Sequence, residues 1–463
     1  MKSEIICPQD FLAPSARLFF VGIGGIGMSG LAQFLRWQGY EVAGSDRGLE
    51  EPARAQLYEQ LRAQGIPLYP QDGSGPRDFH PDGFVVSTAI ESDNADLAAA
   101  PQVPIFHRAF MLARACEQQG AILIGVAGSC GKTSVTGWIA SALKTLGHRI
   151  VMIDGGYTQD FESKDYPGNF FAEPSPEFII AEIDESDKSI REFSPDYAVV
   201  LNVGHDHYGM EELREVFRAF LSRAKRGAVY PAVEPTLAPS GISATAFHEE
   251  APGYTVDEHG IHFDVAPGVM VHSLQAGQHS AWNGQAVFAL LRQAMPNVSS
   301  AELATAMGAF RGVRQRFEVM SSPGAAIPVI NDFAHNPEKL TAAISAARER
   351  YGSPLAMVWQ PHGFKALGDQ REALLEALKK VLRPEDHFLM LPVYYAGGTT
   401  SGKPTSDEVC GEYSAAGLPV RAVASREEVE ANFRAFTEAK AWLVLGARDA
   451  SLRPWSKALA KDN

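Results

Sequence analysis

The stretch 120-GAILIGVAGSCGKTSVTGWIASALKTLG-147 joins an apolar run to a glycine-rich turn and then to helical periodicity. A short apolar run that ends in glycines and leads into a helix is the strand–turn–helix unit of a nucleotide-type α/β sheet. In the turn, Gly128, Ser129, Cys130, Gly131, Lys132, Thr133 and Ser134 can present successive backbone N–H groups to phosphates. Lys132 can neutralise β/γ charge and Thr133 can ligate Mg²⁺. Val126 stands where the strict phosphate-loop pattern has its first glycine, but the Gly-Lys-Thr core survives. ATP binding is therefore the expectation here, ahead of a bland turn.

A second turn of this kind lies upstream. Gly22-Ile23-Gly24-Gly25-Ile26-Gly27 follows the strand candidate 18-LFFVG and precedes the helical stretch 29-SGLAQFLRWQ, and Asp46 closes the next strand. Glycines there permit a tight turn and let N–H groups approach a pyrophosphate at a helix N-terminus, and Asp46 has the spacing of a ribose-binding carboxylate. Alone, this turn favours an NAD(P) oxidoreductase, but that reading leaves the Gly-Lys-Thr loop without a purpose.

Downstream, 178-FIIAEID ends in the acidic residues Glu182, Asp184, Glu185 and Asp187, and 197-YAVVLNVG ends in His205-Asp206-His207. A carboxylate at the end of a strand beside the phosphate-loop strand can hold Mg²⁺ directly or through water. The two histidines have no further thiol or His at ligand spacing, so magnesium or phosphate fits better than zinc.

Length and composition set the frame. At about 150 residues per domain, 463 residues suggest roughly three domains. Hydrophobic residues make up 45% and charged residues 21%, which excludes disordered, collagen-like and coiled-coil chains. Strand candidates alternating with amphipathic stretches, such as 211–224 and 371–383, indicate α/β layers. We expect domains at 1–117, 118–320 and 321–463, with a Gly-punctuated hairpin at 253-GYTVDEHGIHFDV among loops and short antiparallel strands appended to the middle one. A net charge of −14 disfavours nucleic acid or an anionic membrane as partner. No apolar run approaches the roughly 20 residues of a membrane span. The opening MKSEIICPQDF lacks a secretory signal's apolar core, and the scattered Cys7, Cys116, Cys130 and Cys410 read as free thiols, so a cytoplasmic location is expected.

Taken together, Gly-x-Gly-Gly-x-Gly-Met-Ser-Gly at 22–30, Gly-x-x-Gly-Lys-Thr at 128–133, Glu182-x-Asp184-Glu185-Ser186-Asp187 and Asn202-x-x-x-Asp206-His207 occur in the order found in Mur ligases. The motifs 86-VSTAIESDN, 107-HRAFMLA, 279-HSAWN, 311-RGVRQRFE, 330-INDFAHNP, 360-QPH and 392-PVYYAG extend the likeness over essentially the whole chain. The resemblance implies an N-terminal Rossmann-like UDP-sugar domain, a central phosphate-loop ATPase sheet and a C-terminal Rossmann-like domain. It also implies that ATP phosphorylates a substrate carboxylate, which an amino acid's amine then attacks to form an amide.

Carried over by motif, Lys132 and Thr133 serve the ATP phosphates and Mg²⁺, while Glu182 and His207 hold a second magnesium. Asn283 contacts adenine, and Arg316 and Asp332 complete the ATP site on closure. His335, His362 and Lys365 lie near the incoming amino acid, and Gly22, Gly24, Gly25, Ile26, Gly27 and Asp46 face the UDP-sugar. The expected partners are a UDP-linked sugar carboxylate and a small amino acid, L-alanine in the nearest branch, for a monomer or homodimer in peptidoglycan precursor synthesis.

The chain departs from the family pattern at Ser129-Cys130, at Ser280, in Asn331-Asp332-Phe333-Ala334-His335-Asn336-Pro337 and at Gly363-Phe364 after Gln360-Pro361-His362. No lysine follows His207 at the spacing of the carbamylated lysine of some sister ligases; Ser222 stands there. These changes leave two rivals. One is a paralogue that joins a different amino acid or peptide, such as the recycling muramyl tripeptide ligase. The other is a degenerate nucleotide-sugar-binding protein.

Overall fold

The computed structural model describes residues 15–185, 189–204, 209–248, 251–395 and 402–461. Contacts divide the chain into two compact units. The first comprises residues 1–253, 263–273 and 281–313; the second comprises 254–262, 274–280 and 314–463.

The first unit holds two sheets. Strands β1 (Arg17–Val21), β2 (Glu41–Ser45), β3 (Leu68–Tyr69), β4 (Gly83–Val86) and β5 (Ile105–His107) form an all-parallel sheet in the order β3-β2-β1-β4-β5. Leu18, Phe19, Phe20 and Val21 are fully buried, as a strand covered on both faces requires. The strand order reverses at β1, so the Gly22–Gly27 turn opens at the switch point where α/β sheets bind ligands.

The other sheet of this unit contains β6 (Ile122–Ala127), β7 (Ile150–Ile153), β8 (Phe170–Ala172), β9 (Phe178–Glu182), β10 (Tyr197–Val200), β11 (Gly227–Pro231) and β12 (Ser243–Phe247). Their order is β12-β11-β10-β6-β9-β7-β8, parallel except for β8 against β7. The central strand β6 delivers the Gly128–Thr133 turn, and its neighbours β9 and β10 bring Glu182 and Asn202 to the same end.

One continuous core runs through both sheets. The helix Ile26–Trp37 buries Leu31, Phe34 and Leu35, with the Phe34 and Phe170 rings 6.0 Å apart. A Cβ on Gly30 would come within 3.2 Å of the Asn169 carbonyl oxygen. Asn169 in turn donates to the Ile26 carbonyl (2.7 Å) and to Ser29 Oγ (2.9 Å), which fixes the start of that helix.

A separate three-stranded sheet consists of β13 (Thr255–Val256), β14 (Ile261–Ala266) and β15 (Val269–Ser273). The expected hairpin is present: β13 and β14 pair antiparallel around a turn in which Asp257 Oδ1 accepts from the His259 and Gly260 N–H groups (2.7 and 3.0 Å). The segment before it differs from the loop and antiparallel reading, because Ser243–Phe247 extends the phosphate-loop sheet in parallel as its edge. SATAF carries only one bulky apolar residue, Phe247, and an edge strand buried only in part needs no more.

The second unit is built on β16 (Glu318–Val319), β17 (Val329–Asp332), β18 (Ala356–Gln360), β19 (His387–Met390), β20 (Val420–Ala422) and β21 (Trp442–Gly446). The order is β16-β17-β21-β18-β19-β20, parallel except for the short β16. Apolar clusters pack on both faces of this sheet.

Candidate active site

The Gly128–Thr133 turn is held from β10. Asn202 accepts from the Cys130 N–H through Oδ1 (2.9 Å) and donates to the Cys130 carbonyl through Nδ2 (3.0 Å). Gly131, at φ +87°, opens the helix Lys132–Thr145, and a Cβ on it would lie 2.8 Å from Asn283 Oδ1. Asn283 therefore sits directly against the turn. Lys132 Nζ donates to Glu185 Oε1 (3.0 Å), Glu185 Oε2 (2.8 Å) and the Gly128 carbonyl (2.7 Å).

The Lys132 and Glu185 side chains are only 15% and 4% exposed, so this is a buried ion pair. Burial works against the ammonium, but Glu185, Glu182 and Asp184 outweigh it and raise the Lys132 pKa. Burial also raises the Glu185 pKa, against the pull of Lys132. That shift taken alone would favour a neutral acid. The seating of both carboxylate oxygens on the ammonium identifies the pair as ionic.

Beside it, Glu182 at the end of β9 accepts the Gly155 N–H at 3.0 Å. A Cβ on Gly155 would lie 2.4 Å from Glu182 Oε1, and one on Gly156 would lie 2.6 Å from Thr133 Cγ2. The two glycines let the loop after β7 wrap against Glu182 and Thr133. Asp154, which opens that loop, is buried and accepts from Thr158 Oγ1 (2.7 Å) and the Gly155 N–H (2.8 Å). Burial and the adjacent Glu182 charge push its carboxyl well above the usual range. Asp187 and His207 lie outside the described residues. Among the described residues no group of three or more His, Cys, Asp or Glu is arranged for a metal.

The Gly22–Gly27 turn is organised differently. Asp46 is buried; its Oδ2 accepts the Gly24 N–H (2.7 Å) and its Oδ1 accepts the Gly48 N–H (2.8 Å) and the Tyr58 hydroxyl (3.0 Å). Asp46 thus shapes the turn from within. Burial and the Asp46 charge raise the Tyr58 pKa, so Tyr58 stays a hydroxyl donor. At the helix start, a Cβ on Gly27 would lie 2.6 Å from an Arg108 guanidinium nitrogen. Arg108 also pairs with Asp184 at 3.4 Å. It therefore spans from the first glycine turn to the acidic end of β9, a role that its sequence neighbours did not signal.

In the second unit, Asp332 Oδ2 accepts the Phe317 N–H (2.7 Å), and the Arg316 guanidinium lies 5.3 Å from the Phe333 ring centre. Burial raises the Asp332 pKa and Arg316 opposes it. His335 and His362 stand edge to face with centroids 5.3 Å apart. His335 Nδ1 bonds the Phe333 carbonyl at 2.8 Å, which makes Nδ1 the protonated nitrogen. Burial and the Lys339 charge lower the His335 pKa to about 4, so the ring is neutral at pH 7. Lys365 does not join them; it pairs with Asp369 on an exposed short helix.

Three family profiles match in chain order: the Mur ligase family catalytic domain over residues 17–119, the Mur ligase middle domain over 126–290 and the Mur ligase glutamate ligase domain over 315–448. The UDP-N-acetylmuramate–L-alanine ligase of Streptomyces avermitilis is 32% identical over 442 residues, covering 89% of this chain and 90% of its own. That of Methylobacillus flagellatus is 32% identical over 410 residues, covering 82% of each. Among solved structures, the UDP-N-acetylmuramate–alanine ligase of Thermotoga maritima superposes with a TM-score of 0.76 at 24% identity, covering 96% of this chain and 98% of its own. The murein peptide ligase of Psychrobacter arcticus gives 0.64 at 18%, covering 97% and 99%. With its two glycine turns at the switch points of parallel sheets, and with relatives above 30% identity over most of its length, the chain belongs to the Mur ligase family.

Proposed function

We infer that this protein is an ATP-dependent, ADP-forming ligase that joins L-alanine to the carboxylate of UDP-N-acetylmuramate in peptidoglycan precursor synthesis. The observation that carries the reading is the Lys132 turn at the end of β6, flanked by Glu182 and Asn202 from the strands on either side. That arrangement combines backbone donors, one buried cation and a carboxylate where a nucleoside triphosphate needs them. The curated relatives supply the substrate names.

The reaction follows two balanced steps. An oxygen of the acceptor carboxylate attacks the γ-phosphorus, and the bond to ADP breaks. The amine of the amino acid then attacks the acyl carbon, the C–O bond of the mixed anhydride breaks so that inorganic phosphate leaves with the bridging oxygen, and the amine gives up a proton. Lys132 and the N–H groups of residues 131–134 orient the phosphates and offset their charge, which is most of what phosphoryl transfer asks of a protein.

Thr133 and Glu182 are hard oxygen donors brought close by Gly155 and Gly156, a set that fits Mg²⁺ with phosphate and water oxygens completing its shell. The ion, when bound, offsets negative charge on the phosphates; His207 belongs to the same proposed metal set. Asn283, Arg316 and Asp332 belong to the proposed ATP set. For the UDP-sugar, the N–H groups at the start of the helix Ile26–Trp37, with Arg108 beside Gly27, form an anion site for a diphosphate. This reading places the protein in the cytoplasm, where those nucleotides are made.

The test is phosphate release from Mg-ATP and UDP-N-acetylmuramate across single amino acids. Release that requires both the acceptor and L-alanine, and that stops when EDTA removes the metal, is the expected result. Release that requires another amine keeps the mechanism and changes the substrate. Silence with every amine overturns the ligase reading.

A further inference from the structure

A cavity of about 660 Å³ lies at the free edge of the phosphate-loop sheet, and every residue that lines it belongs to the first unit. Its walls are the end of β12, the turn from β14 to β15, and one stripe of the helix Gln278–Ala294. That stripe is Gln285, Phe288, Ala289 and Arg292, the spacing of a single helix face. Asn283, which sits against the Gly128–Thr133 turn, is on the opposite side of the helix. β12 is also three strands from β6, about 14 Å across the sheet. The cavity is therefore separate from the site proposed for ATP.

Three features of its wall are left over by the fold. The first is backbone: β12 is the outermost strand, and the Phe247 carbonyl accepts the Ala232 N–H on the β11 side (2.8 Å). By alternation Ala246 turns its N–H and C=O to the open edge, where no described residue bonds them. The second is Arg292, half-buried, which donates to the Val298 carbonyl through Nη1 (2.6 Å). The third is Asp264, whose N–H donates to the Pro252 carbonyl (2.7 Å) and whose carbonyl accepts from Gln285 Nε2 (2.6 Å). Those bonds fix its backbone and leave its carboxylate free. Among the described residues neither Arg292 nor Asp264 forms an ion pair.

The two charges are set along the strand. The helix starts beside Gly131, past the end of β6, and Gln293 near its other end bonds the Ala228 carbonyl (3.0 Å) and Thr245 Oγ1 (2.6 Å). It thus runs antiparallel to the strands. Gln285, under Asp264, and Arg292 are seven residues apart, about 10 Å along the axis. Asp264 therefore marks the end of the cavity toward the end of β12, and Arg292 the end toward its start.

We propose that this cavity binds a short extended peptide of two to four residues with free ends, added antiparallel to β12. The N-terminal ammonium faces Asp264, the C-terminal carboxylate faces Arg292, and the peptide main chain pairs with Ala246, as in strand addition. Three extended residues span about 10 Å, which matches the separation of the charges. A guanidinium matches a carboxylate through paired N–H donors. Phe247, Val265 and Phe288 line the cavity and suit an apolar side chain in the middle of the peptide. The Asp264 charge disfavours a polyanion, and a free amino acid is too short to reach both ends. This site goes beyond the ligase reading and stands or falls apart from it.

Calorimetry on the full-length protein would use the tripeptide Ala-Leu-Ala, its N-acetyl and C-amide forms, and Ala-Asp-Ala. Ala-Leu-Ala should bind with a Kd of the order of 100 μM. Blocking either end, or placing a charge in the middle, should weaken binding by about tenfold or more. Saturating Mg-ATP or UDP-N-acetylmuramate should shift the Kd by less than about twofold. Arg292→Met should remove the difference between acid and amide, and Asp264→Asn the difference between free and acetylated ends. Ala289→Leu, which keeps both charges and fills space, should abolish binding. All three variants should keep turnover with L-alanine. The end-blocked peptides test the wild type itself, so the outcome does not depend on a variant folding.

No binding to the wild type, or equal binding of free and end-blocked peptides, would overturn the site. Displacement by ATP would overturn it too, by placing the peptide at the nucleotide turn. So would phosphate release driven by Ala-Leu-Ala with binding intact in all three variants, which would assign the peptide to the ligase centre. Absence of phosphate release with every amine bears on the ligase reading alone, and the two failures are thereby told apart.

Discussion

The Gly22–Gly27 and Gly128–Thr133 turns both follow the middle strand of a parallel sheet and both open a helix, yet charge is arranged around them in opposite ways. In the first, a carboxylate lies inside the turn: Asp46 accepts the Gly24 N–H, and the cations come from elsewhere in the chain, Arg54 at 3.7 Å from Asp46 and Arg108 beside Gly27. In the second, the structural partner is neutral, the Asn202 amide, and the cation, Lys132, belongs to the turn itself. A negative charge already within a turn weakens it as a site for phosphate, whereas the neutral clamp adds none; at the second turn the carboxylate, Glu185, bonds the lysine and not the N–H groups of the turn. The difference argues that the second turn serves the highly charged triphosphate and the first a ligand bound chiefly by shape and by helix-start N–H groups.

Substitutions can break this contrast, and the largest effect is expected at Lys132. Lys132→Ala should lower kcat for amide formation by about a thousandfold or more. It should also destabilise the fold by roughly 3 kcal/mol, because Glu185 is left buried without its partner. Denaturant unfolding of Lys132→Ala/Glu185→Ala should recover most of that stability with no recovery of activity. A double variant that regains turnover would remove the lysine from the chemistry.

The next largest effect should fall on the first turn. A Cβ on Gly24 would lie 2.4 Å from the Tyr58 hydroxyl and 2.8 Å from Asp46 Oδ2. Gly24→Ala should therefore cost about 1–3 kcal/mol and raise the KM for the UDP-linked acceptor about tenfold or more, with the KM for ATP little changed. Equal changes in both constants would mean that the two turns do not divide the ligands.

Asn202→Ala should give the mirror image at smaller scale. Losing both bonds to Cys130 should cost about 1–2 kcal/mol and raise the KM for ATP several-fold without affecting the acceptor. Smallest of all, Glu185→Gln keeps the shape around Lys132 but removes the competing charge, so calorimetry should find ADP bound roughly threefold to tenfold more tightly. Weaker ADP binding would show that Glu185 orients the lysine and does not compete for it.

Much of the architecture was legible in the sequence wherever apolar runs were long enough to be buried on both faces. The stretches around Phe19, Ile124, Ile180, Val199, Val358 and Leu443 read directly as strands. Leu68–Tyr69, Phe170–Ala172, Ser243–Phe247 and Val420–Ala422 were not legible, because two to five residues in short or edge strands carry no usable period. Glu182 and Lys132 were found as candidates, but the pairing of Lys132 with Glu185 was not, since 53 residues separate them. Asp46 was read as a ribose ligand from its spacing, while its carboxylate bonds the Gly24 and Gly48 N–H groups and the Tyr58 hydroxyl.

By itself the sequence determined the two glycine turns, the α/β layering and the family's motif order. Each of these depends on local requirements: a turn that only glycine allows, or a strand that only apolar residues can bury. The tertiary structure alone decided which charges meet: Asp46 with the first turn, Glu185 with Lys132, and Arg108 with Asp184. Within a sheet those meetings follow from strand order and register, and Arg108 and Asp184 meet from two different sheets; electrostatic partnership depends on distance in space.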